Sequence, residues 1–139
     1  IRVSLQRITA ILIQGCGCFL FVVLCRKDGD YMISFHDIAR LFSFNSHHGY
    51  CIEIEFSVTG YPEYQSCWMG KMPDKRNKGQ ELYWYGLVPD GSEAYNYDSF
   101  QNFSCSSVFR GKSLKEIWDS VEILSIDGCD PEDRIQAYL

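Results

Sequence analysis

Tyr50-Cys51-Ile52-Glu53-Ile54-Glu55-Phe56-Ser57-Val58-Thr59 alternates apolar and polar side chains without a break from Ile52 onward. Successive side chains of a strand point to opposite faces. Ile52, Ile54, Phe56 and Val58 therefore share one face, and Glu53, Glu55, Ser57 and Thr59 the other. One face is buried and the other wet, as in an antiparallel sheet covered on a single side.

Reading outward from this strand, Gly60-Tyr61-Pro62-Glu63 is a turn, and Tyr64–Met72 reads as a second strand. Pro73–Gly79 is a charged connection, and Gln80–Val88 is a third strand carrying Leu82-Tyr83-Trp84-Tyr85. Pro89-Asp90-Gly91-Ser92 is a strong turn signal. Strands adjacent in sequence tend to pair, which predicts an antiparallel meander. Upstream, Ser34 with an acid at Asp37 predicts a capped helix over 35–43, with Phe35, Ile38, Ala39 and Phe42 on one face. Asn45–Gly49 reads as a loop. Downstream, Asp98 is expected to cap a short helix holding Phe100 and Phe103, broken at Ser104–Ser107. Ser113-Leu114-Lys115-Glu116 is a capping box, and Leu114, Ile117, Trp118 and Val121 follow at helical spacing. Val121–Ile126 continues as a short strand, and Asp127-Gly128-Cys129 turns the chain. Asp130-Pro131-Glu132-Asp133 opens a last helix, with Asp at the N-cap, Pro at the first helical position and acids in the first turn. The expected fold is α+β: a small antiparallel β-meander of three to four strands with two to four helices packed on one face. Residues 32–139 are expected to form a single domain.

Residues 1–31 read differently. No charged side chain occurs from Ile8 to Cys25, while Arg7 precedes the run and Arg26-Lys27 follow it. Three expectations compete for this hydrophobic N-terminal segment. As a membrane helix it would span roughly 27 Å, short of a bilayer core of about 30 Å. As a β-hairpin, Ile8–Gln14 and Cys18–Cys25 would flank a Gly-Cys-Gly turn, but both strands would need cover on two faces. As a non-native leader, it would precede a true start at Met32.

The chain of 139 residues has a net charge of −5, and residues 32–139 hold 9 basic against 16 acidic side chains. An acidic domain is repelled by phosphate backbones, so nucleic acid is not an expected partner. A basic protein is the complementary one. The 7 cysteines are odd in number and scattered, which argues against a secreted disulfide framework. Free, buried cysteines in a reducing cytosol fit better, and a cytoplasmic location is expected, with membrane anchoring as the alternative if residues 8–25 form a membrane segment.

No catalytic motif stands out. His47-His48-x-x-Cys51 supplies zinc-type ligands, yet a structural site needs four and the only other histidine is His36. The reading preferred is a polar loop entering a strand. Cysteine–histidine pairs arise by chance at this composition, and no glycine-rich elbow singles one out. Cys51 and Cys67 read as core or sheet-face residues. Asp127, Asp130, Glu132 and Asp133 offer oxygen ligands, but Gly128 and Pro131 are placed as turn and helix-start residues, and acids there stabilise the helix dipole without a metal. Lys71, Lys75, Arg76 and Lys78, with Trp68, Tyr83 and Trp84 nearby, resemble a basic patch with aromatics. Against the domain's acidity they read as a solvated loop. No metal and no cofactor are expected.

The aromatic belt points to binding. Tyr83, Trp84 and Tyr85 are consecutive and must face both sides of the sheet, while Tyr61, Tyr64, Tyr95 and Tyr97 lie in or beside the turns. Tyr and Trp are enriched where one end is apolar and the other wet. Tyr83, Trp84, Tyr85, Tyr95 and Tyr97, with the acids Asp127 and Asp130, are the candidate partner-binding residues. The strand Tyr50–Thr59, the belt Leu82–Tyr85, Gly111–Asp119 and the acidic end Asp127–Asp133 together give residues 32–139 a class-level resemblance to the immunity proteins of bacterial toxin systems. The resemblance carries over no residue roles. It implies a non-enzymatic protein-binding module that masks a basic partner by charge complementarity. The alternatives are a small hydrolase or nuclease using His47 or His48 with an acid from Asp127–Asp133, and a membrane-tethered domain.

Overall fold

The computed structural model describes residues 32–44 and 51–138. The expectations for residues 1–31 and for His47 and His48 lie outside the described residues. The elements in chain order are α1 (Phe35–Ser43), β1 (Ile52–Val58), β2 (Cys67–Pro73), β3 (Glu81–Gly86), β4 (Ala94–Tyr97), α2 (Phe100–Cys105), a 3-10 turn (Trp118–Ser120), β5 (Val121–Ile126) and α3 (Pro131–Tyr138). The fold is α+β, with one antiparallel sheet of five strands in the order β4-β3-β2-β1-β5.

The alternation in β1 places its apolar residues as the sequence predicts. Ile52, Ile54, Phe56 and Val58 are buried, while Glu53 is exposed and Glu55 half-buried. Cross-strand register carries this division over the sheet. Ile54 faces Met69 of β2 and Ile126 of β5, Met69 faces Tyr85 of β3, and Tyr85 faces Tyr95 of β4. All three helices cover this one face. Ile38, Leu41 and Phe42 of α1, Phe103 of α2 and Ile135 of α3 join the strand residues in a single core. Phe103 stacks on Tyr85 with ring centroids 4.1 Å apart, and Phe42 meets Phe103 edge-on at 5.6 Å. Offset stacked and edge-on pairs are the geometries the ring quadrupole favours.

The helix ends follow their local chemistry. Ser34 Oγ accepts from Asp37 N, and the Asp37 carboxylate accepts from Ser34 N, completing the predicted capping box. Asp130 Oδ1 accepts from the backbone N–H of Glu132 and Asp133 at the start of α3. For α2 the cap is Ser99 rather than Asp98: Ser99 Oγ accepts from Asn102 N, while Asp98 takes the Asn102 side-chain amide.

Three further expectations are corrected. The sheet has a fifth strand, because Ala94–Tyr97 pairs along β3. Strand β2 starts at Cys67 instead of Tyr64, since Tyr64 closes the preceding turn, its N–H donating to Tyr61 O. The helix expected after Ser113 is absent. Its capping box forms, with Ser113 N donating to Glu116 and Glu116 N to Ser113 Oγ. The segment then tightens, Ser120 N donating to Ile117 O, because Thr59 N takes Ser120 O and draws the chain into β5.

Candidate functional site

The seven sequence-derived candidates fall in four places. Tyr83, Tyr85 and Tyr97 lie on the helix-covered side. Tyr85 is 1% exposed and its hydroxyl donates to Phe103 O. Tyr83 donates to Glu81 at 3.2 Å, and burial pushes its phenol up to about 12. Tyr97 shares a 2.6 Å hydrogen bond with Ser106. Tyr95 sits at the β4 edge and is exposed. Asp127 and Asp130 lie at the β5–α3 junction. Asp127 Oδ1 accepts from Glu53 N, and Oδ2 accepts from Arg134 and from the Tyr138 hydroxyl. Asp130 caps α3. Of the seven, Trp84 alone points to the opposite face of the sheet, open as far as the described residues go.

That face has its own order, set by register. One row runs Glu53, Gly70, Trp84, Asn96, and the next runs Ser125, Glu55, Trp68, Gly86, Ala94. Each tryptophan thus stands opposite a glycine on the neighbouring strand. A side chain on Gly70 would meet the Trp84 ring, whose Cζ2 lies 2.6 Å from where its Cβ would be. The indole therefore lies across β2, covering backbone that a larger residue would hide. Trp68 is 36% exposed. Glu53, Ser66, Trp68, Trp84, Gly86, Val88 and Pro89 line a shallow groove of about 480 Å3. Glu55 accepts from Ser66 and Ser125 hydroxyls, both at 3.4 Å. The Glu53 carboxylate has no hydrogen bond or ion pair among the described residues. None of the five strands sends a lysine or arginine to this face.

Trp68, Glu53 and Glu55 were missed as candidates, and the signal for them was parity. Cys67, Met69 and Lys71 alternate with Trp68, Gly70 and Met72, but only the register reveals that Trp68 lies beside Glu55.

Lys71 was read as part of a solvated basic loop, and this is corrected. It is 1% exposed. Its ammonium donates to Phe42 O at 2.9 Å and to Phe44 O, and pairs with Glu81 at 3.3 Å. Burial lowers its pKa, and Glu81 opposes that shift. The expectation of buried cysteines is also corrected in part: Cys67 is buried and its thiol is pushed up to about 12 by burial, whereas Cys51, Cys105 and Cys129 are exposed. Among the described residues no group of three or more His, Cys, Asp or Glu is arranged to hold a metal, and no helix is long and apolar enough to cross a membrane. His36 is exposed on α1.

No protein-family model matches the chain, and neither the curated proteins nor the solved structures give a match.

Proposed function

We propose that this chain is a non-enzymatic protein-binding module of the cytoplasm, docking a basic partner on the open face of its sheet. The observation that carries this reading is the composition of that face: two tryptophans beside Glu53 and Glu55, with no basic residue projected by any of the five described strands. Tryptophan is enriched among the residues that dominate binding energy. Carboxylates around it favour a cationic partner and repel phosphate backbones. Tyr83, Tyr85 and Tyr97 of the belt lie on the helix-covered side, so the surface is narrower than the full belt and displaced toward β1 and β2. Masking of a basic toxin, as immunity proteins do, is one instance of this role.

The test is association with a basic protein encoded beside this chain, followed by calorimetry over a range of salt. Affinity is expected to fall as salt rises. Trp68→Ala is expected to weaken binding about thirtyfold, the loss of about 2 kcal/mol typical of an anchoring aromatic. Affinity indifferent both to salt and to Trp68 would sink the proposal.

A further inference from the structure

We infer that the groove between Glu53, Trp68 and Trp84 receives an arginine side chain of the partner. This rests on the docking role proposed for the open face and adds the chemistry of its central contact. Glu53 is held on both sides by one residue: its N–H donates to Asp127 Oδ1 at 2.9 Å, and its carbonyl accepts from Asp127 N at 2.7 Å. The backbone of Glu53 is thus fixed while its carboxylate stays unengaged among the described residues. In the same row Gly70 contributes no side chain, and the Trp84 indole lies over it toward β1. The Trp84 indole and the Glu53 carboxylate, unengaged among the described residues, accordingly border one groove, which Trp68, Val88 and Pro89 wall on the apolar side.

A guanidinium suits these groups better than other guests. It is planar, stacks on an indole and offers a fork of N–H donors to a carboxylate. A lysine ammonium is more strongly hydrated and lacks the flat stacking surface. A neutral side chain would desolvate Glu53 without compensating it. Glu55 already holds two hydroxyl donors, so Glu53 is the carboxylate placed to take the fork.

The probe is a capped glycine-arginine-glycine peptide, added to the full chain while the three indole N–H resonances are followed. Trp118 is the internal control, because its N–H is already donated to Ile33 O at 3.2 Å. Saturable shifts are expected at Trp68 and Trp84, with Trp118 unmoved. The citrulline peptide, equal in shape but uncharged, is expected to bind about tenfold more weakly, as is the arginine peptide to Glu53→Gln. The lysine peptide is expected to fall between them. Equal binding of the citrulline and arginine peptides, or no saturation with arginine, would overturn the inference. Concentration-dependent self-association abolished by Glu53→Gln would assign the groove to a second copy of the chain and overturn it likewise. If the protein partner still binds through Trp68 while the arginine peptide does not, the docking role stands and only the arginine assignment falls.

Discussion

A lysine ammonium has three protons to place, and in a site closed to water each needs an acceptor. Lys71 finds them in Phe42 O, Phe44 O and Glu81. Two of these are carbonyls at the C-terminal end of α1, which helical hydrogen bonding leaves open and where a cation is favoured. One side chain of β2 therefore fastens the end of α1 to the sheet. Replacing it by methionine keeps much of the volume but removes the donor from the buried Phe42 carbonyl and from Phe44 O, and takes the ammonium from Glu81. Lys71→Met is expected to lower stability by about 2–3 kcal/mol, read as a drop in the urea midpoint with unchanged slope. An unmoved midpoint would mean that the ammonium contributes nothing there. The inward direction of Lys71 was legible, because Cys67 and Met69 set its parity. Its role was not, since its acceptors on α1 lie 27 and 29 residues away. Neighbouring Lys75, Arg76 and Lys78 made it look like one more loop cation.

Among the elements, those with strong local signals were readable and those created by tertiary pairing were not. Strand β1, α1 with its capping box, and α3 with Asp130-Pro131 all follow from short-range chemistry. Strand β4 has only four residues, Ala-Tyr-Asn-Tyr, and exists because β3 offers a free edge. The capping box at Ser113 is genuine, yet a cap sets where a helix begins, not how far it runs. Pairing of β5 with β1 claims the residues that would have continued it. The same pairing depends on Asp127, which joins three elements. It lies in the left-handed region at φ 52°, bonds the start of β1 through Glu53 N, and holds α3 through Arg134 and Tyr138. Asp and Asn tolerate that backbone conformation better than most residues. Asp127→Asn should therefore cost only about 1 kcal/mol, from the weakened Arg134 contact. Asp127→Ala loses the conformation and every bond, and is expected to cost about 2–3 kcal/mol. Equal effects of the two substitutions, measured by urea denaturation, would show that the bond to Glu53 N and the backbone conformation, which asparagine keeps, contribute nothing.

For the whole molecule, the titratable groups collected in the core set a limit at alkaline pH. Burial raises the Cys67 thiol from its ordinary 9.0 to about 12 and the Tyr83 phenol from 10.0 to about 12, and it raises Tyr85 as well. For an acid whose folded pKa is raised, the folded state keeps a proton that the unfolded chain releases. The associated stability is full below the unfolded pKa and is lost as pH climbs through the folded one. Loss should begin near 9.0 for Cys67 and near 10.0 for the tyrosines, and deepen toward 12. Lys71 works the other way, since its pKa is lowered on folding and the unfolded chain holds the extra proton. Burial also raises the Tyr64 phenol in the same core, so one base stands against four acids and the net slope is downward. Urea midpoints taken stepwise from neutrality to about pH 11 should hold steady and then fall, with the fall steepening once the tyrosines join. Cys67→Ala should start from a lower midpoint, because it leaves a small cavity, yet begin its decline later, because the earliest titrating group is gone. A midpoint that stays level through this range would contradict the burial of Cys67, Tyr83 and Tyr85 against the helices, and with it the core formed on the side of the sheet that the described helices cover.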